Sequence, residues 1–118
     1  MNKVYFLSTC STCQKIINEF GELLYGIEMQ DIKSEKISKD QLSEMKKLSD
    51  TYESLFSRRA MKYKSLGLGD KTLTEEDYER LILEEYTFLK RPVFIVNDKI
   101  FVGNSKKNID LLRIELES

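Results

Sequence analysis

Two cysteines separated by two residues stand between a β-rich run and a segment with helical spacing. Residues 4–7 are β-branched, aromatic or aliphatic, which is typical of a buried strand. Apolar residues then recur with the period of an amphipathic helix, at Ile16, Ile17, Phe20, Leu23 and Leu24. Cys10 and Cys13 therefore lie where a strand ends and a helix begins.

This location favours an ionised thiol. The unpaired N–H groups and the positive dipole end of a helix stabilise an anion, and a thiolate is an anion. Ser11 or Thr12 is predicted to cap the helix with its hydroxyl oxygen. Cys10 is predicted to be the exposed attacking thiolate, and Cys13 the shielded thiol that resolves a mixed disulfide. The alternative is a pair of small, partly buried thiols without function, which the location disfavours.

Composition excludes several classes of function. The 118 residues are enough for one domain with an adequate core, and 41% hydrophobic with 33% charged residues describe a soluble globular protein. A net charge of −1 gives no global attraction to nucleic acid or to anionic membranes. No apolar run approaches the ~18 residues of a membrane span, and the first residues lack a signal-peptide pattern. A cytoplasmic protein is expected.

The residue types that are missing narrow the chemistry further. The chain has no histidine, which excludes Cys–His catalysis and histidine-containing zinc sites. Two cysteines cannot form a four-thiolate zinc site within one chain. Thiol redox chemistry remains, and in a reducing compartment Cys-x-x-Cys is more often redox-active or metal-binding than a structural disulfide. No bound metal or cofactor is expected.

The middle of the chain predicts one more strand and then helices. A helix stop at Tyr25-Gly26 precedes the alternating residues 27–32, which complete a strand–helix–strand unit. Residues 38–88 predict a helical insert, in which Ser38 opens one helix and Thr74 another.

The last third predicts a hairpin and a helix. Two β-rich runs, within residues 88–96 and 99–103, flank a two-residue Asn97-Asp98 turn. Asn104 or Ser105 is predicted to cap the final helix. The whole order predicts an α/β fold with a four-stranded mixed sheet and helices on its faces, in a single domain.

These features together resemble a known family. A first-strand Cys-Ser-Thr-Cys, a later Lys90-Arg91-Pro92 before a strand, and a terminal hairpin with a helix are similar to the thioredoxin-like arsenate reductase family. That family includes glutaredoxin-coupled arsenate reductases and Spx-type redox-responsive transcription regulators. The resemblance covers nearly the whole chain and implies a thioredoxin-like fold.

The resemblance also implies roles for individual residues. Cys10 matches the family's nucleophile, and Pro92 matches a cis-proline, although sequence alone does not establish the cis form of this bond. Arg91 matches the arginine before that proline, an anion ligand that holds a thiolate or oxyanion. Arg58 or Arg59 matches a further arginine that the family carries in the helical insert. Ser11 and Thr12 are predicted loop donors to a bound anion.

Two departures from the pattern weigh against arsenate. Arsenate reductases of this type carry an arginine in the hairpin near Gly103, and residues 100–104 contain no basic residue. Lys99 or Lys106 could substitute, but a lysine lacks the bidentate fork that fits an oxyanion. The second thiol, Cys13, is the other departure.

Three functions remain open. The favoured one is a cytosolic thiol-disulfide oxidoreductase that acts on a small disulfide or oxyanion, with glutathione, glutaredoxin or thioredoxin as reductant. The second is a glutathione- or glutaredoxin-coupled arsenate reductase. The third is an Spx-like regulator that binds RNA polymerase and is not an enzyme. We expect a monomer without direct contact to nucleic acid or membrane.

Overall fold

The computed structural model describes residues 2–118 and contains a four-stranded mixed sheet. Its strands are β1 (Lys3–Phe6), β2 (Glu28–Asp31), β3 (Val93–Val96) and β4 (Lys99–Val102). The spatial order is β2-β1-β3-β4; β1 and β2 are parallel, and the other neighbouring pairs are antiparallel. This confirms the predicted mixed sheet.

Five α-helices accompany the sheet. They are α1 (Ser11–Phe20), α2 (Lys39–Ser49), α3 (Met61–Ser65), α4 (Glu75–Glu84) and α5 (Lys106–Glu117). Contacts divide the chain into two units. One comprises the residues up to Lys36 together with Arg91–Ser118, and the other comprises Ile37–Lys90.

The first unit packs α1 and α5 on the sheet through a continuous apolar core. Phe94 on β3 lies opposite Phe101 on β4, and the ring of Phe20 meets that of Phe94 edge-on at 5.9 Å. Both phenylalanines of the hairpin are buried, as predicted. The core also contains Val4, Ile16, Leu24, Val96 and Leu112. This core fixes the end of β1 and the start of α1, between which the cysteines lie.

The second unit contains α2, α3 and α4, joined by short 3-10 turns. Its centre is an aromatic cluster in which the ring of Phe56 lies 6.0, 4.9 and 5.0 Å from those of Tyr63, Tyr78 and Phe88. Aromatic pairs at these distances stabilise a small core beyond the apolar area that they bury.

The predicted helix starts are largely confirmed. Ser38 accepts a hydrogen bond from the N–H of Gln41 at 3.0 Å and completes a capping box. Thr74 caps α4 in the same way, and Ser105, not Asn104, caps α5. These hydroxyl oxygens satisfy N–H groups that a helix start leaves unpaired.

Some boundaries differ from the prediction. The first α-helix ends at Phe20, because Gly21 adopts a positive φ of 49° and a 3-10 turn, Gly21–Leu24, follows. The third strand begins at Val93, later than predicted, because a 3-10 turn, Tyr86–Phe88, takes the start of the predicted run and residues 89–92 lie outside the four strands. The hairpin turn is as predicted: Asn97 and Asp98 both have positive φ, which a tight two-residue turn requires.

Within residues 2–118, no helix is long and apolar enough to cross a membrane.

Candidate functional site

Cys10 occupies the N-cap position of α1. Its backbone is extended (φ −93°, ψ 111°), and its carbonyl accepts the first helical hydrogen bond, from the N–H of Gln14 at 3.1 Å. The prediction that Ser11 or Thr12 caps the helix was therefore wrong. Both are exposed residues of the first turn, because the turn out of β1 ends one residue earlier. The thiol itself thus stands at the free N–H groups.

Several groups lower the pKa of Cys10. Burial of this half-exposed side chain raises its pKa, but hydrogen bonds from the N–H and thiol of Cys13, the charge of Arg91 and the N–H of Thr12 together bring it below its ordinary value. A neutral thiol is a weak acceptor, and among the described residues Cys10 makes no side-chain capping bond of standard geometry. These groups therefore stabilise the ionised thiolate of Cys10 and not its neutral thiol.

Cys13 is the opposite kind of thiol. It is fully buried, and burial raises its pKa to about 11. A backbone hydrogen bond from Leu7 and the charge of Arg91 oppose this rise, whereas the sulfur of Cys10 adds to it. Both cysteines are free thiols. The pair therefore consists of an accessible thiol with a lowered pKa and a shielded thiol with a raised one.

Arg91 and Pro92 lie with the cysteines in the first unit. Arg91 is half-buried, and its charge favours the thiolate of both cysteines. The Arg91–Pro92 peptide bond is cis, and Pro92 is buried. The carbonyl of Pro92 accepts a hydrogen bond from the N–H of Gly103 at 2.9 Å, which joins this segment to the end of β4.

The two lysines nearest Gly103 in the sequence analysis both form ion pairs in the structure. Lys99 is ion-paired with Glu115 at 2.8 Å, and Lys106, at the start of α5, is ion-paired with Asp110 at 2.9 Å. These pairs disfavour either lysine as a substitute for the arginine expected near Gly103 in arsenate reductases, and the substitution stays a prediction.

Arg58 and Arg59 lie in the second unit and are both exposed. Arg58 forms an ion pair with Glu53 at 2.8 Å and donates to the hydroxyl of Tyr78 at 3.0 Å. Both contacts are made by Nη2 of Arg58 and lie within its own unit. The assignment of either arginine to an anion site stays a prediction.

Two polar side chains that the sequence analysis did not single out hold the turn before Cys10. The carboxylate of Asp31, at the end of β2, accepts a hydrogen bond from the N–H of Ser8 at 3.2 Å. The amide of Gln14 donates to the carbonyl of Ser8 at 3.3 Å. The sequence contained only part of the signal: Asp31 ends the strand after the cysteine helix, and the ends of parallel strands lie at one edge of a sheet, but its partner there depends on the strand register. Among residues 2–118, no three acidic or thiol side chains are grouped to hold a metal ion.

Comparisons with known proteins identify a family and several relatives. The model of the ArsC family matches residues 5–112. The global transcriptional regulator Spx of Bacillus subtilis is 24% identical over 110 residues, which are 92% of this chain and 84% of that protein.

Two solved structures share the fold. An ArsC family related protein from Bacteroides fragilis aligns with a TM-score of 0.78 and 24% identity over 94% of this chain and 97% of its own. An arsenate reductase from Vibrio cholerae aligns with a TM-score of 0.77 and 16% identity over 96% of each chain.

Proposed function

The chain belongs to the ArsC family, and on that premise we propose that it is a thiol-disulfide oxidoreductase in which Cys10 attacks and Cys13 resolves. The observation that carries this proposal is the contrast between the two thiols. Cys10 has a lowered pKa at a helix start, whereas Cys13 is buried with a pKa of about 11. A nucleophile must be a thiolate that a substrate can reach, and a resolving thiol must be kept from reacting first.

The proposed reaction has two exchange steps. The thiolate of Cys10 attacks one sulfur of a substrate disulfide, a new S–S bond forms, and the other substrate sulfur leaves as a thiolate that takes up a proton. Cys13 then loses its proton and attacks the sulfur of Cys10, which releases the second substrate thiol. The product is a Cys10–Cys13 disulfide, and a cellular thiol reductant returns the two electrons. Glutathione, glutaredoxin and thioredoxin are the candidate reductants, and no bound cofactor takes part.

Arg91 offsets negative charge in the first step. Its guanidinium favours the thiolate of Cys10 before attack, and it can also stabilise the charge that develops on the sulfurs. Pro92 fixes the backbone beside it, and the N–H groups of the first turn of α1, which contains Ser11 and Thr12, add to the positive potential.

A disulfide fits this site better than arsenate does. A small oxyanion needs several charge-assisted donors converging on it. Among the described residues of the first unit, Arg91 is the guanidinium whose charge lowers the pKa of both thiols. Lys99 and Lys106 are held by carboxylates. Arsenate reduction coupled to glutathione or glutaredoxin remains the alternative enzyme activity, with Arg58 or Arg59 as the further anion ligand that it would require.

A redox-responsive regulator is the second class of function, favoured by the similarity to Spx. In that case the Cys10–Cys13 pair is a switch, and RNA polymerase is the partner. The regulators carry a contact motif that contains a glycine. The corresponding stretch of this chain, after α2, reads Asp50-Thr51-Tyr52-Glu53 and has no glycine. We therefore place the enzyme first. In either case we propose that the protein is cytoplasmic, because the thiols must stay reducible. We also propose that it is a monomer.

The experiment that tests the proposal is a turnover assay with two substrates and two reductants. Bis(2-hydroxyethyl) disulfide and arsenate are each supplied with glutathione plus glutathione reductase, or with thioredoxin plus thioredoxin reductase, and NADPH consumption is followed. The proposal predicts turnover of the disulfide that Cys10→Ser abolishes. Turnover of arsenate alone would instead assign the alternative enzyme. Turnover of neither substrate, with polymerase captured by only one redox form, would assign the regulator.

A further inference from the structure

The turn that carries Cys10 is held on both sides of one residue, Ser8, through the N–H of the Leu7–Ser8 peptide and the carbonyl of the Ser8–Thr9 peptide. After β1, the chain turns through Ser8 and Thr9, and the N–H of Cys10 donates to the carbonyl of Leu7 at 3.0 Å. The N–H of Ser8 donates to Asp31, and the carbonyl of Ser8 accepts from Gln14. Ser8 is exposed, so these two contacts, and not packing of its own side chain, hold its two flanking peptides.

Asp31 reaches this turn because of the sheet register. Phe6 and Asp31 are partners in the parallel β1–β2 pair, and the N–H of Ile32 donates to the carbonyl of Phe6 at 2.9 Å. The carboxylate then accepts from the N–H of Lys33 at 3.1 Å and from both the hydroxyl and the N–H of Ser8. These donors lower the pKa of Asp31. The carboxylate therefore stays ionised at neutral pH and joins the end of β2 to the cysteine turn.

We propose that Asp31 is a positioning residue for Cys10, which it places at the start of α1 by holding the N–H of Ser8. This inference rests on the proposed role of Cys10 as the attacking thiolate. The physical reason is geometric, since the stabilisation of a thiolate by N–H groups declines steeply when the sulfur moves or the angles open. If the turn is no longer held at Ser8, the sulfur of Cys10 can move away from the N–H groups of Thr12 and Cys13 that stabilise its thiolate. The amide of Gln14 supports the same residue at its carbonyl, in the next peptide.

The test is the rate of iodoacetamide alkylation of Cys10 against pH, in full-length Asp31→Ala, Asp31→Asn and Gln14→Ala. Asp31→Ala removes the acceptor, and the pKa of Cys10 is expected to rise by about half a unit or more, which is a threefold loss of thiolate at pH values below it. Asp31→Asn keeps an acceptor oxygen without the charge and is expected to stay near the wild type. Gln14→Ala, on a helix where alanine is well tolerated, is expected to shift the pKa in the same direction as Asp31→Ala.

Glu28→Gln is the matched control. It also removes a carboxylate from β2, together with an ion pair to Lys3 at 2.8 Å, but has no contact with Ser8 among the described residues. The proposal is overturned if Asp31→Ala and Gln14→Ala both alkylate like the wild type, or if Glu28→Gln slows alkylation equally. It is also overturned if Asp31→Asn lowers the pKa of Cys10, because the charge would then matter and not the hydrogen bond. Alkylation needs no disulfide substrate. An absence of turnover would therefore contradict the proposed function, while the alkylation rates would still test the role of Asp31.

Discussion

The N–H and the thiol of Cys13 both donate hydrogen bonds that stabilise the thiolate of Cys10, one helical turn away. In return, the negative charge of Cys10 helps to keep Cys13 protonated. When Cys10 becomes part of a mixed disulfide, that charge disappears, while the backbone hydrogen bond from Leu7 and the charge of Arg91 continue to favour the Cys13 thiolate. In the proposed reaction, the first exchange step therefore activates Cys13 for the second.

This relationship predicts very different titrations for the two thiols. In Cys13→Ser, alkylation of Cys10 is expected to follow a pKa below the ~8.5 of a free cysteine. In Cys10→Ser, alkylation of Cys13 is expected to be slow at neutral pH and to accelerate only at strongly alkaline pH, because burial raises its pKa to about 11. Iodoacetamide rates from pH 5 to 11 measure both. A Cys10 that titrates like a free cysteine, or reacts more slowly than Cys13, contradicts the assignment of roles.

Arg91 is predicted to act through both its charge and its shape. Arg91→Met removes the charge that favours the thiolate, so the pKa of Cys10 is expected to rise by about one unit. Arg91→Lys keeps the charge without the planar fork, and is expected to fold normally and to slow disulfide exchange less than Arg91→Met. The same alkylation and exchange rates measure this.

Arg80→Met is the control for Arg91→Met. It removes an exposed guanidinium that pairs only weakly with Asp77 at 3.4 Å and Glu84 at 3.6 Å along its own helix. If both methionine variants change the pKa of Cys10 equally, the effect comes from net charge and not from the position of Arg91.

The alternation and helical periods of the sequence were enough to predict the sheet, the insert and the hairpin. They were sufficient because local signals agree with the fold, as where Ser38 and Gln41 form a capping box or Asn97 and Asp98 form a turn. The helix start at Cys10 was misjudged because hydroxyl residues are the usual caps and a thiol is not. Helix-capping propensity therefore does not predict a cysteine at this position.

The role of Asp31 could not be predicted from local pattern. Its contact with Ser8 spans 23 residues and depends on the register of β1 against β2. An alternating strand pattern gives the side of the sheet on which a residue lies but not its partner on the neighbouring strand. The cis bond before Pro92 was likewise left to family resemblance, because most bonds of this type are trans.

Gly103 is predicted to be required by its backbone and not by lack of space. It has a φ of +89°, and an added Cβ would meet no atom within 4 Å. Gly103→Ala is therefore expected to lower the free energy of unfolding by about 1–2 kcal/mol, the cost of left-handed backbone for a residue with a Cβ. An arginine at this position would carry the same cost. Urea unfolding measures the change.

Gly69→Ala provides the comparison for Gly103→Ala. Its backbone is outside the positive-φ region, and the new Cβ would lie in ordinary contact, 3.6 Å from the ring of Tyr63. Its free energy of unfolding is expected to stay within about 0.5 kcal/mol of the wild type. Equal losses in the two variants would contradict the assignment of the Gly103 cost to its positive φ.

The central claim is that Cys10 attacks and Cys13 resolves, and the product trapped by Cys13→Ser tests it most directly. After reaction with bis(2-hydroxyethyl) disulfide, the intact mass of the wild type is expected to show an internal disulfide with no added group. Cys13→Ser is expected to retain one mercaptoethanol moiety on Cys10 and to lose turnover, while Cys10→Ser retains none. A Cys13→Ser variant that turns over disulfide like the wild type and accumulates no mixed disulfide would contradict the account.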